Sequence, residues 1–159
     1  LYGVLKEMEE SGQVRRGYFV EGLSGVQFAY SGAVDRLRGC REDEAGGVLL
    51  ASTDPANPYG AMIPWPECAG RPRRAAGTFV VLRGGEPALY VERNARRVLT
   101  FPAFDEKAAA ALDELAPRAR GKILRIEQID GESAPASKAA PAFRLAGFKG
   151  EFTALARML

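Results

Sequence analysis

The chain of 159 residues contains no histidine. That removes the Ser-His and Cys-His nucleophile systems, in which an imidazole takes the proton from the attacking group. It also removes the commonest metal ligand, and the two cysteines, Cys40 and Cys68, lack CxxC spacing. No metal site is expected, and two isolated thiols fit a reducing, cytoplasmic compartment. No apolar run approaches the roughly 18 residues of a membrane span and no signal peptide is visible, so no membrane partner is expected. There is no G-x-x-x-x-G-K-[ST] loop to cradle ATP phosphates, and no internal repeat, low-complexity tract or long charge block.

What is present is ordinary in amount and informative in arrangement. Hydrophobic residues make up 47% and charged residues 26%, enough for one good core or two small modules sharing one. The 22 basic and 20 acidic residues leave a formal charge of +2, so a basic surface has to come from local clustering. The chain opens Leu1-Tyr2-Gly3, without methionine, straight into a helical pattern, which reads as a piece of a larger protein.

Leu1, Val4, Leu5 and Met8 follow the i, i+3, i+4, i+7 spacing of a helix with one buried face, stopped by Ser11-Gly12. Gln13–Val20 and Val26–Ala29 read as two strands around a glycine-containing turn, which is how a winged helix finishes. Ser31 is placed to cap a short helix carrying Arg36, Arg38 and Arg41, and Glu42–Gly47 breaks the pattern. Val48–Ala51 reads as a short buried strand. Thr78–Arg83, Ala88–Arg93 and Arg96–Phe101 form an antiparallel meander, with Gly84-Gly85 and Asn94-Ala95 as turns. Asp105 caps a helix through Ala108–Ala116, Lys122–Ile129 is a strand closed by Asp130-Gly131, and Ser137–Ala146 is a helix. Gly147 as C′ residue would put Phe148 against Phe143, the apolar contact of a Schellman stop. A last strand or frayed end follows from Glu151.

Between the two parts lies Thr53-Asp54-Pro55-Ala56-Asn57-Pro58-Tyr59-Gly60, running on to Pro64-Trp65-Pro66. The prolines fix φ, Asp54 and Asn57 bond nearby backbone N–H groups, and Gly60 tolerates positive φ. The stretch reads as a stiff hinge anchored by Tyr59 and Trp65. The expected organisation is 1–45 as the end of a winged-helix domain, 46–66 as a Pro-rich hinge and 67–159 as a β-barrel-like module. The fold class is α+β: a winged-helix end, then a small antiparallel β-barrel-like module with flanking helices. Arginines cluster at Arg15-Arg16 on the wing, at Arg71, Arg73 and Arg74 after the hinge, and at Arg93, Arg96 and Arg97 around the second turn. If these converge they make a phosphate-binding stripe; the alternative is ordinary solubilising surface.

The chain resembles the C-terminal domain of Lhr, the large helicase-related DNA repair helicases of bacteria. The resemblance rests on Arg15–Leu23, Gly25–Ala29, Gly32–Arg38, Thr53–Gly60, Pro64-Trp65-Pro66, Leu89–Arg93, Leu99–Phe101 and Ile126–Glu132, in that order along nearly the whole chain. It implies a larger ATP-dependent 3′–5′ helicase whose ATP and Mg sites lie in a core absent from this chain. It also implies DNA, single-stranded or forked, as partner, and assembly into a homo-oligomer through this region. The same architecture resembles AlkZ/YcaQ-type DNA glycosylases, whose catalytic Gln-x-Gln or Gln-x-Asp motif lies far upstream. Gln128-Ile129-Asp130 holds those two residue types but is set aside on its spacing and its hairpin context, so no catalytic residue is carried across.

Three readings stay open on these residues. The first is a DNA-engaging or assembly module, using Arg15, Arg16, Arg71, Arg73, Arg74, Arg96 and Arg97. The second is a glycosylase-like domain removing uracil or damaged bases, for which Asp54, Asn57, Tyr59 and Trp65 supply the only local residue types. The third is a purely structural oligomerisation surface on an edge of the meander. The chain by itself is expected to be non-catalytic, with Asp54 and Asn57 capping turns.

Overall fold

In the computed structural model, which describes residues 1–39, 46–92, 95–118 and 123–158, the chain divides into two units, Leu1–Asp43 and Glu44–Leu159. Cys40, Arg41, the Glu42–Glu44 run, Arg93 and Asn94 lie outside the described residues.

In the first unit, helix α1 (Tyr2–Glu10) ends because Gly12 turns left-handed at φ 76°. The Gln13 and Gly12 N–H groups then bond back to the Met8 and Glu9 carbonyls. Strands β1 (Val14–Gly17) and β2 (Gln27–Tyr30) pair antiparallel, with Val14 opposite Tyr30 and Gly17 opposite Gln27. Helix α2 (Ser31–Gly39) follows directly. Ser31 does not cap it: its Oγ donates to the Gly12 carbonyl (2.9 Å) and ties the start of α2 to the end of α1. Among the described residues, the buried apolar ones of this unit are Val14 and Val34. The expected buried face of α1 is instead largely open, with Leu1 and Val4 exposed, because periodicity marks an apolar stripe without saying what covers it.

The second unit is built on a six-stranded sheet in the order β3-β4-β5-β6-β8-β9. Strands β3 (Val48–Ala51), β4 (Phe79–Arg83), β5 (Glu86–Val91) and β6 (Arg97–Thr100) run antiparallel. The β4–β5 turn is Gly84-Gly85, both at positive φ, as a two-residue hairpin with this twist requires. Of β3 only Leu49 is buried, so the short buried strand expected from Val48–Ala51 is an edge strand exposed at both ends. Strands β8 (Gln128–Ile129) and β9 (Glu132–Ser133) add a hairpin through Asp130-Gly131. Here β6 and β8 pair parallel, so the sheet is mixed.

A second sheet, β10-β11-β7, comprises β7 (Ile123–Ile126), β10 (Lys149–Gly150) and β11 (Leu155–Met158). The chain passes from one sheet to the other at Glu127. Neither sheet closes on itself, and the barrel-like arrangement expected from the sequence is replaced by two open sheets sharing a core. The local strand pattern could not reveal this, because closure depends on which distant strands pair.

Helix α3 (Glu106–Ala110), a 3-10 segment (Ala111–Arg118), a short 3-10 turn (Ala134–Ala136) and helix α4 (Ala140–Leu145) line the core. The single helix expected over Ala108–Ala116 is therefore a short α-helix that tightens, and the one expected from Ser137 starts at Ala140. Asp105 caps α3 by accepting from the Ala108 N–H (2.9 Å) and pairs with Arg83 (2.7 Å) at the end of β4. At the end of α4, Gly147 takes φ 91°, the Phe148 N–H bonds the Phe143 carbonyl and the Gly147 N–H bonds that of Arg144. The Phe143 and Phe148 rings meet edge-on at 5.5 Å, which is the Schellman stop with its apolar contact. Phe143, fully buried, is the largest side chain of a core that includes Val81, Leu89, Val98, Leu112, Ile126 and Leu155.

Candidate nucleic-acid interface

The outer face of the six-stranded sheet carries a second, smaller cluster: Tyr90, Leu99 and Phe101, covered by Trp65 and Cys68. With both faces covered, β5 is buried from Pro87 through Val91 without alternation. The covering strap is the stretch after β3. Trp65 stacks on Tyr59 (6.0 Å) and Phe101 (6.1 Å) and meets the edge of Tyr90 (5.8 Å). Gly60 is at φ 73°, and a Cβ there would sit 2.3 Å from Trp65 Nε1, so no larger residue fits under the indole. The Tyr59 hydroxyl reaches the Gly85 carbonyl (3.1 Å), fastening the loop to the β4–β5 turn.

Within the loop, Asp54 Oδ1 accepts from the Ala56 N–H (2.8 Å) and Asn57 Oδ1 from that of Tyr59 (3.1 Å). Asn57 is 1% exposed and its Nδ2 donates to the Ser52 carbonyl (2.8 Å), so its amide is satisfied within the fold. Arg74 holds the loop from the other side. Its Nη1 donates to the carbonyls of Asn57 (2.5 Å) and Tyr59 (3.3 Å), and its Nη2 to those of Thr53 and Asp54 (both 3.2 Å). The planar fork of a guanidinium suits that array of acceptors. Asp54, Asn57, Tyr59 and Trp65 thus form one hydrogen-bonded and stacked assembly, in which the Asp54 carboxylate completes a turn.

The remaining arginines of this unit sort by partner. Arg83, Arg96, Arg125 and Arg157 pair with Asp105, Glu127, Glu151 and Asp113, and Arg144 bonds the Pro135 carbonyl. Among the described residues, the side chains of Arg71, Arg73 and Arg97 have no such partner, and all three are exposed. They also share a side of the sheet. Arg97 lies two residues before Leu99 on the same strand face, by the period-2 alternation of a strand, whereas Val98 faces the main core. Gly70 rests on Leu99, and the Arg73 backbone bonds the Tyr90 hydroxyl through both N–H (3.3 Å) and carbonyl (3.0 Å). Gln128, opposite Arg97 in the parallel register, takes the same face. Glu92 shares it too, without an ion pair to the three arginines.

On the first unit, Arg15 and Arg16 are exposed on β1 and make long surface pairs, with Asp35 (3.8 Å) and Glu9 (3.5 Å). Such pairs contribute little and yield readily to a better anion.

Two further residues organise the surface, Gln27, which sequence reasoning did not single out, and Asp130, which it placed only in a turn. Gln27 holds the β1–β2 loop: Oε1 accepts from the Phe19 (2.9 Å) and Val20 (2.8 Å) N–H groups, and Nε2 donates to the Val20 and Leu23 carbonyls (both 3.0 Å). Asp130, at φ 56°, accepts from the Thr100 N–H (2.7 Å) and hydroxyl (2.6 Å), clamping the β8–β9 hairpin to β6. Gln128-Ile129-Asp130 does have Gln-x-Asp spacing, but its carboxylate is committed to Thr100. The signal for Asp130 was the Asp-Gly pair itself, since aspartate tolerates left-handed backbone. Among the described residues no group of three or more His, Cys, Asp or Glu side chains is placed to hold a metal ion. No helix among them is long and apolar enough to cross a membrane.

A family model described as "Large helicase-related protein, winged-helix domain" matches residues 1–49. The "Lhr helicase/ probable uracil glycosylase" of Mycolicibacterium smegmatis is 44% identical over 142 residues, covering 82% of this chain and 9% of that protein. The "Lhr helicase/uracil glycosylase" of Escherichia coli is 38% identical over 111 residues, covering 65% of this chain and 7% of that protein. The chain thus spans less than a tenth of the length of either relative.

Proposed function

The chain belongs to the large helicase-related (Lhr) family, and from that premise we propose that it is a C-terminal accessory domain of a large ATP-dependent DNA repair helicase, contributing contacts to the DNA backbone. The observation that carries this reading is the sorting of the arginines: Arg71, Arg73 and Arg97 are exposed, share one side of the sheet and are left without a carboxylate. Guanidinium groups in that state are available to phosphate oxygens, which they bind bidentately. Arg15 and Arg16 on the wing extend the basic surface of the first unit. Arg74 is excluded from the contact set because its donors are directed into the loop.

Fluorescence anisotropy of the chain with labelled single-stranded and duplex DNA tests this. Affinity should fall with salt, and an Arg71→Ala/Arg73→Ala/Arg97→Ala variant should reduce the slope of log K against log salt by up to about 2 on single strands. Absence of binding, or a slope the variant leaves unchanged, removes the DNA role.

Both relatives carry uracil glycosylase in their names, which favours a second reading in which the parent protein excises uracil. Asp54 and Asp130 are held in backbone clamps, so we place that chemistry outside this chain. A uracil-DNA cleavage assay on this chain and on the full-length protein separates the two cases: activity in the short chain would refute that placement.

A further inference from the structure

The wing displays the Tyr18 ring to solvent and anchors its neighbour. Tyr18 is 91% exposed, although large aromatic side chains contribute most when buried. Phe19, next to it, folds back over Gly17, whose missing side chain makes the room: a Cβ there would come within 3.0 Å of the Phe19 ring. The loop between them and β2 is not loose. The four hydrogen bonds of Gln27 fix it at Phe19, Val20 and Leu23, and Gly22 and Gly25 supply its positive-φ turns. Tyr18 is therefore a ring held outward on a cross-linked loop, directly beyond Arg15 and Arg16.

We propose that Tyr18 is a stacking platform for an unpaired base of single-stranded nucleic acid, with Arg15 and Arg16 taking the flanking phosphates. The inference rests on the DNA-binding reading above and adds to it a residue and a mode of contact. A duplex offers phosphates to the arginines but keeps its base faces stacked; only a single strand presents a π-face to the ring. A pre-ordered loop loses little conformational entropy when a base lands on it.

Anisotropy with a fluorescein-labelled oligothymidylate and with a duplex, using Tyr18→Ala and Tyr18→Phe variants of the chain, decides the matter. The side chain is exposed, so both variants should keep the wild-type circular dichroism. Tyr18→Ala should bind the single strand about tenfold more weakly, with duplex affinity unchanged and Tyr18→Phe close to wild type. An Arg15→Ala/Arg16→Ala variant should weaken both ligands and flatten the salt dependence. If Tyr18→Ala is silent on the single strand, or weakens both ligands equally, the stacking role is wrong while the DNA-binding reading stands. If the wild-type chain binds neither ligand, both fall together, and the exposed ring is left to a protein partner.

Discussion

Replacing Arg74 by alanine should destabilise the second unit without acting on DNA directly. The guanidinium serves four carbonyls, those of Thr53, Asp54, Asn57 and Tyr59. A hydrogen bond with a charged donor contributes about 1.5–3 kcal/mol net. The four are not additive, because half-buried carbonyls recover water once the fork is gone. A total loss of about 2–4 kcal/mol is therefore expected. In a chain of this size that lowers the melting temperature by about 4–16 °C. Arg74→Lys should recover less than half of the loss, since one ammonium cannot reach both pairs of acceptors. Arg71→Ala and Arg73→Ala serve as neighbours of matched chemistry; with no partners to lose, each should stay within about 0.5 kcal/mol of wild type. Thermal unfolding followed by circular dichroism measures all four. The reasoning is refuted if Arg74→Ala melts like wild type and instead loses DNA affinity as its two neighbours do.

Two further substitutions test the strap and the clamp. Gly60→Ala places a methyl group against the Trp65 indole at a backbone φ of 73°, which should cost about 2–4 kcal/mol. It should also shift the emission of the chain's one tryptophan, and unchanged emission and stability would count against the close stacking. Asp130→Ala removes both bonds from Thr100 and puts alanine at φ 56°, an expected loss of about 2–3 kcal/mol in urea unfolding. Asp130→Asn, which tolerates that backbone and keeps one acceptor, should lose less than half as much; an Asp130→Ala variant as stable as wild type would mean that the carboxylate is not the clamp.

Local chemistry made some of this molecule readable in advance. The Schellman stop at Gly147, the cap at Asp105 and the Gly84-Gly85 hairpin each depend on a few adjacent residues, and each stands at its expected position. The meander was visible for the same reason. What local pattern could not supply was pairing at a distance. The parallel contact of β6 with β8 joins Arg97 to Gln128 across α3 and the 3-10 segment, and it turns an expected barrel into an open mixed sheet. The arginines make the point for the site. Arg71, Arg73 and Arg74 look alike in sequence, yet one reaches back to residues some twenty positions earlier and the others do not. Exposure of the α1 stripe was equally invisible, since amphipathicity reports a face and not its cover.

The six-stranded sheet has unequal borders, and this directs how it can grow. One border is β9, two residues long, which leaves almost no ladder for an incoming chain to copy. The other is β3, four residues with Val48 half exposed. Any strand addition to this sheet, whether recruitment of an extended peptide or the first step of aggregation, is therefore channelled to the β3 side, and a proline or lysine introduced there would act as a gatekeeper.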